Sequence, residues 1–352
     1  MTYRVVQWST GNVGRLALRA IIEHPDLELV GVHASNPDKI GKDAAELCGL
    51  DTPIGVTATN DVDTLLDLKP DVICYNTQAR SLDELCKILA AGVNVVGTSR
   101  FITGRRISAD AAVRLDEACQ RGGSSLYGSG VNPGHVNVIA LLATGFCDRL
   151  HSLSFTESVD VTDYGSIETW EVVGWGKPPS AGTDMTALIE QGTTEAAEGI
   201  EAMADALGVE LDEICFENMF SVAQEDLELP HFTLPAGTVA GMRLTYHGMA
   251  YGRRVITVHM VYRVRGHVEP PLDVLDGYQI EIQGEPSLKM TLEFDDTRVP
   301  DVNRDNTFMG SALVAAAAAM INAIPAVCDA RPGIRIAAEL PPIVARHLVF
   351  TQ

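Results

Sequence analysis

The chain has seven cysteines in 352 residues, yet no Cys-x-x-Cys pair and no His/Cys cluster. Cys48, Cys74, Cys86, Cys119, Cys147, Cys215 and Cys328 are scattered through stretches that read as helices and strands. That scatter offers no metal spacing and no disulfide framework, so they read as reduced core thiols of a cytoplasmic protein. Positive charge is also scarce. With 26 Lys and Arg against 47 Asp and Glu, the formal charge is 26 − 47 = −21. Such a balance opposes nucleic acid and anionic membrane surfaces as partners. It does not oppose an anionic cofactor, because the field that matters there is local to a helix terminus and its neighbours. No signal peptide is read ahead of the first strand. The longest apolar run, Ala312 to Met320, is alanine-rich, too short to span a bilayer, and reads as a buried helix. What remains is ordinary globular composition, 46% hydrophobic and 21% charged, at a length that suits two domains.

What is present begins almost at the N-terminus. Arg4-Val5-Val6-Gln7-Trp8-Ser9 reads as a strand that runs into Thr10-Gly11-Asn12-Val13-Gly14. Arg15 to Ile22 then carries apolar residues at helical spacing, Pro25-Asp26 turns the chain, and Leu27 to Val32 is a second strand. Strand, glycine turn, helix, strand is the βαβ unit that seats a dinucleotide pyrophosphate. Gly11 lets the backbone approach a phosphate, and the helix N-terminus offers N–H groups to the anion. A Gly-x-x-Gly pair alone also fits an ordinary turn; its place between a first strand and a first helix gives it meaning.

The second strand ends in His33-Ala34-Ser35-Asn36-Pro37-Asp38-Lys39. An NAD site usually carries an acid here for the ribose hydroxyls. Ser35 and Asn36 in that place, with Lys39 in reach, suit the extra phosphate of NADP, with NAD use left open; a plain turn with a solvated lysine is the alternative. Further strands at Val72 to Thr77, Val93 to Gly97 and Ser124 to Gly128 alternate with helices over Val62 to Leu68, Ser81 to Ala91 and Ala109 to Arg121, which implies a parallel sheet. Ligands sit beyond the C-terminal ends of such strands, and this nominates Thr77, Gln78, Thr98 and Ser99 as neighbours of the nicotinamide half. Asn132, held extended before Pro133 in the turn Gly128 to His135, can bond the carboxamide or simply start a helix.

From Leu150 the pattern changes. His151 to Thr162 reads as a long strand, Thr183 to Leu207 as one helix, Asp212 to Phe216 as a strand, and Val239 to Val264 and Tyr278 to Phe294 as antiparallel pairs. Thr307 to Ile324 returns to helix, ended by Pro325. The expected fold class is α/β: a Rossmann-type parallel-sheet domain plus an α+β substrate domain with a mainly antiparallel sheet. The expected boundaries are 1–149, completed by 304–352, for the dinucleotide-binding domain and 150–303 for a substrate and dimerisation domain.

The segment VVQWSTGNVGRLALRAII resembles the nucleotide-binding half of dihydrodipicolinate reductase. GSGVNPG, ESVDVTDY and AAAAMINAIPAVCDARPGIR resemble 2,4-diaminopentanoate dehydrogenase and the related native amine dehydrogenases. The resemblance covers most of the chain. It implies a homodimer and NAD(P)-dependent hydride transfer on a small amine, imine or ketone. Family members with amine chemistry carry a Glu just after the strand that here is Asn94 to Thr98, whereas Gly97-Thr98-Ser99-Arg100-Phe101-Ile102-Thr103 has no acid. A carbonyl reductase without amine chemistry, or a catalytically silent nucleotide-binding sensor, are therefore the alternatives. The double-His motif of true dihydrodipicolinate reductases is missing, with only Ser180 and Thr183 before a helix as an echo.

Hydride transfer needs a group that handles the substrate proton. Glu157 and Tyr164, in the segment that resembles the family pocket, and His135, at a helix start, are the catalytic candidates; Asp160 and His247 are further ones. Glu157 can replace the missing carboxylate and Tyr164 can protonate a carbonyl oxygen. The residues alone favour a solvated strand face for Glu157 and Asp160, and a structural role for each histidine. Trp170 and Trp175 can wall a pocket or fill a core.

Overall fold

The structure is a computed structural model that describes residues 2–77, 81–98, 101–164, 170, 173–179, 182–230, 232–294 and 307–349. In chain order the first elements are β1 (Tyr3–Trp8), α1 (Asn12–Glu23), β2 (Leu27–His33), α2 (Ala44–Cys48), β3 (Ala58–Thr59), α3 (Val62–Asp67) and β4 (Val72–Tyr75). There follow α4 (Leu82–Ala90), β5 (Asn94–Thr98), α5 (Ala109–Gly122), β6 (Ser125–Ser129) and α6 (Val136–Thr144). The next run is β7 (Arg149–Asp160), α7 (Gly182–Gly192), α8 (Glu195–Leu207), β8 (Glu213–Ala223), the short β9 (Leu227–Glu228) and β10 (Thr233–Leu234), β11 (Val239–Ala250) and β12 (Arg253–Arg263). The last are β13 (Val268–Glu269), β14 (Gly277–Glu285), β15 (Leu288–Leu292), α9 (Thr307–Ile321), α10 (Ile324–Cys328) and β16 (Gly333–Arg335). The chain divides into two compact units, residues 1–135 with 313–352, and residues 136–312.

In the first unit seven strands lie in the order β16-β6-β5-β4-β1-β2-β3, every pair parallel. The order reverses between β1 and β4, the switch point of a doubly wound sheet. Alternation along the strands feeds two cores. Val5, Cys74, Val96 and Tyr127 meet Ala17 and Ile21 of α1 with Met320, Ile324 and Val327 from the C-terminal helices. Val6, Ile73, Val95 and Leu126 meet Leu65, Leu85, Ile88, Leu115 and Cys119 of α3, α4 and α5 on the other face. Each helix shows its apolar stripe at 3.6-residue spacing, Gly14-Ala17-Leu18-Ile21 in α1 and Leu85-Ile88-Leu89 in α4. Side-chain caps start them: Asp61 for α3, Ser81 for α4 and Ser108 for α5. All seven cysteines are free thiols, and burial pushes those of Cys74 and Cys328 up to about 12.

The second unit is built on a sheet ordered β13-β8-β11-β12-β7-β14-β15. Its pairs are antiparallel except β12 with β7. The mainly antiparallel second sheet is therefore as expected, and so are the two hairpins that turn at Tyr251-Gly252 and before Ser287. Four details differ. The helix expected over Thr183 to Leu207 is two, the first ending at Gly192, a poor helix former, and the second beginning at Glu195. Pro325 does not end a helix but stands in the first turn of α10, where its missing N–H costs nothing. β8 runs on to Ala223, well past Phe216. The apolar stretch also reaches further than Ala312 to Met320: Gly310–Cys328 is long and apolar enough, by length and composition, to cross a membrane. Here Ala317, Met320, Ile321, Ile324 and Val327 are buried against the first sheet.

Candidate active site

The turn after β1 is shaped by its neighbours. Ser9 adopts a positive φ of 76° and donates its N–H to the His33 carbonyl at 3.0 Å. Gly14, in the first turn of α1, packs directly on Ser9; a Cβ there would strike the Ser9 carbonyl oxygen. At Gly11, by contrast, a Cβ would meet nothing within 4 Å, so the mouth of the turn is open. The first N–H groups of α1 have no intrahelical acceptor and point out of that mouth with the positive end of the helix dipole. An open mouth, a glycine that cannot be replaced and a ring of N–H donors fit the pyrophosphate of a dinucleotide.

The residues expected around this turn come together in part. Thr10 is buried, Gly11 and Asn12 are exposed, Val13 is half-buried, and the Lys39 ammonium lies 2.8 Å from the Thr10 carbonyl and 3.1 Å from its hydroxyl. Ser35 and Asn36 are exposed, and Asn36 spends its side-chain oxygen on the N–H of Asp38, capping the short turn that carries Lys39. Beside them His33 stacks on Trp8 with ring centroids 3.9 Å apart. Thr77, Thr98 and Asn132 all follow or end strands of the same parallel sheet, at its C-terminal edge, and Asn132 is extended as expected, with φ −141° and ψ 126°. Gln78 and Ser99 lie outside the described residues. His135 follows β6 at this edge, with its pKa lowered by burial, and does not line the cavity described next.

The second unit holds a partly open cavity of about 310 Å³. Val159, Val161, Met242, Leu244, Val173 and Ala312 line it together with Trp170, Trp175, Thr193 and the ionisable side chains Glu157, Tyr164, Tyr262 and Tyr278. Trp170 donates its indole N–H to the Tyr164 carbonyl at 2.7 Å and packs on Trp175 and Phe232, so both tryptophans are fixed walls. The two carboxylate oxygens of Glu157 accept one phenol each, Tyr262 at 2.9 Å and Tyr278 at 3.1 Å. Burial first, and then the Glu157 carboxylate, push the pKa values of both tyrosines up, so the phenols stay protonated and keep donating. Glu157 is thus no member of a solvated strand face. Its cross-strand neighbours cover it: Tyr278 stands directly opposite Glu157 in the β7–β14 pair, Met260 in the β7–β12 pair, and Tyr262 reaches it from two residues further along β12. Asp160 is different. It takes the Thr162 N–H at 2.9 Å and faces Arg265 at 3.5 Å, closing the end of β7 away from the lining. His247 is also elsewhere, on β11 against Thr257 and Glu217. Tyr262 and Tyr278 were not legible as site residues, since they lie 105 and 121 residues from Glu157 in sequence.

If the Gly14 contact shapes the turn as described, Gly14→Ala displaces Ser9 or the helix start. It is expected to weaken dinucleotide binding about tenfold or more, the equivalent of about 1.4 kcal/mol. Calorimetric titration of the folded variant checks this, and an unchanged affinity would remove the turn from the binding site.

Comparison with known proteins gives the family. Residues 136–349 match the model of the 2,4-diaminopentanoate dehydrogenase C-terminal domain, and residues 5–121 match that of the dihydrodipicolinate reductase N-terminus. An amine dehydrogenase of Streptomyces virginiae is 31% identical over 96% of this chain and 95% of its own length. A 2,4-diaminopentanoate dehydrogenase of Acetoanaerobium sticklandii is 23% identical over 79% of this chain and 76% of its own. The solved structure of an amine dehydrogenase from Mycobacterium smegmatis shares the fold with a TM-score of 0.79, at 21% identity and 98% of both chains. With one family model matching residues 136–349 and a relative above 30% identity across nearly its whole length, the chain belongs to the family of 2,4-diaminopentanoate dehydrogenase and amine dehydrogenase.

Proposed function

We propose that the protein is an NAD(P)-dependent amine dehydrogenase, acting on a small amine or on the matching ketone with ammonia. The observation that carries this reading is the Glu157 carboxylate, held by two phenols in a cavity walled by aromatic and aliphatic side chains. The cofactor, when bound, gives or takes the hydride at the substrate carbon. The remaining work falls to the chain. An amine must be free of its extra proton before the carbon beside it can release hydride, and Glu157 takes that proton or holds ammonium for the reverse direction. Tyr262 and Tyr278 remain protonated and orient the carboxylate. On this reading Tyr164, which is on the same lining, donates to a carbonyl oxygen. Trp170 and Trp175 exclude water, which strengthens every charge interaction inside. On this reading Glu157 is the carboxylate that handles the substrate nitrogen. Residues 1–149 with 304–352 then form the cofactor domain, and 150–303 the substrate domain.

Cofactor preference on this reading is for NADP. Lys39, tied to Thr10 at the rim of the turn, supplies a cation close to the ribose end, and Ser35 adds a hydroxyl where NAD sites place an acid. The proposal extends to a homodimer, as the family resemblance implies; light scattering should give twice the 37.8 kDa of one chain, and a monomer at working concentration would refute it.

Two measurements test the chemistry. NADPH oxidation against a panel of small ketones should require ammonia, and Glu157→Gln should lower kcat/KM by about 10²–10⁴-fold while leaving nucleotide affinity unchanged. Ammonia-independent oxidation would instead make the protein a carbonyl reductase, and full activity of Glu157→Gln would remove the carboxylate from the mechanism. Lys39→Ala should weaken NADPH by roughly ten- to a hundredfold, the range of a hydrogen bond to a charged group, and leave NADH nearly unchanged. Equal weakening of both would place Lys39 away from the 2′-phosphate.

A further inference from the structure

Gln7 is a polar residue in a fully buried position of a central parallel strand, with none of its side chain exposed. Its Nε2 donates to the Ser9 carbonyl at 2.7 Å and to the Asn76 side-chain oxygen at 3.0 Å, with the Trp8 carbonyl at 3.4 Å. Its Oε1 is buried without a hydrogen-bond partner. The orientation of the amide is fixed by its surroundings, because turning it over would aim the oxygen at three other oxygens. A buried amide that satisfies only its nitrogen is a poor core residue: an apolar side chain of the same shape would leave no acceptor stranded. Its neighbours explain why it is there. The Ser9 carbonyl that it holds is the atom on which Gly14 packs, and Gln7 Nε2 itself would stand 3.3 Å from a Cβ at Gly14. Ser9 has the strained positive φ. Asn76, the other acceptor, follows β4 across the switch point; its N–H donates to the Trp8 carbonyl at 3.0 Å and its Nδ2 to the Met320 sulfur at 3.3 Å.

We infer that Gln7 is a positioning residue for the dinucleotide: it pins the Ser9 carbonyl, and through it the first turn of α1, in the shape that presents the N–H groups to the pyrophosphate. The inference rests on reading the Thr10–Gly14 turn as the seat of that group. Because the pyrophosphate is common to both nucleotides, loss of the pin acts on NAD⁺ and NADP⁺ alike, unlike a change at Lys39.

The test is calorimetric titration of the full chain and two variants with NAD⁺ and with NADP⁺, beside thermal melting of each protein without nucleotide. Gln7→Met keeps the size and removes both the donor and the stranded acceptor. It is expected to raise both Kd values by about tenfold, a loss of about 1.4 kcal/mol, while Tm stays level or rises. Gln7→Glu turns the donor into an acceptor facing Ser9 and Asn76 and should weaken both nucleotides further; if it does not fold, Gln7→Met decides alone. Kd values within about twofold of the parent for folded Gln7→Met, or weakening of only one nucleotide, would overturn the inference and leave Gln7 a packing residue. No binding of either nucleotide by the parent chain would instead fail the underlying reading of the turn.

Discussion

A strand buried between parallel neighbours cannot be joined to them by a hairpin. The chain must cross over the sheet and return, and so every turn that leaves a strand's C-terminal end opens on the same edge. That constraint arranges the first unit. It takes Thr10 to Gly14, Thr77, Thr98 and Asn132, spread over more than a hundred residues of sequence, and lines them along one edge of the β6-β5-β4-β1-β2 sheet. It also fixes where helix dipoles point, because each crossover helix begins at that edge. The strands themselves must be apolar on both faces, since helices cover both. β1 and β4 obey this except at Arg4, which reaches solvent at the start of β1, and at Gln7, which is fully buried.

The second unit solves a different problem, a half-buried carboxylate on the wall of a cavity. A buried charge is costly unless hydrogen bonds satisfy it. Here the solution comes from strand pairing. β7 lies between β12 and β14, one parallel and one antiparallel, and each neighbour brings one tyrosine to Glu157. The effect is reciprocal. Burial raises the phenol pKa values, the carboxylate raises them further, and the phenols in consequence remain donors throughout the range in which an enzyme works. Charge, donors and apolar walls are thus set by rigid strands and by packed tryptophans, the support that a positioned acid or base needs.

Local pattern carried most of the fold. The glycine turn after β1, the caps Asp61 and Ser81, and the alternation of strands with helices are all short-range signals, and the parallel sheet follows from them. One helix stops at Gly192, and Pro325 begins another, in stretches whose propensities average to continuous helix. Glu157 read as solvated because alternation along β7 reports only which face a residue is on, not what stands opposite. Tyr262 and Tyr278 are supplied by register between strands over a hundred residues apart, and no local window holds that information. Gln7 did carry a signal, a lone amide inside an apolar strand, but its meaning depends on the carbonyl of Ser9 and on the helix above it.

Gln7 and Glu157 answer the same question in opposite ways. Each is a polar group placed where packing alone would choose an apolar one. Glu157 has both oxygens bonded, so its surroundings offset much of the cost of burial and the residue is held for its charge. Gln7 has its nitrogen bonded and its oxygen stranded, so its surroundings leave part of the cost standing. A stranded acceptor of this kind costs on the order of 1–3 kcal/mol, a sizeable share of the 5–15 kcal/mol by which folded domains are stable. Such a cost is tolerated where a shape is needed that packing would not produce by itself, here a serine at positive φ beneath the first turn of a helix. Gln7 and Glu157 are thus read by the same rule, that a polar group inside a unit is judged by which of its atoms find a partner and by what those partners do.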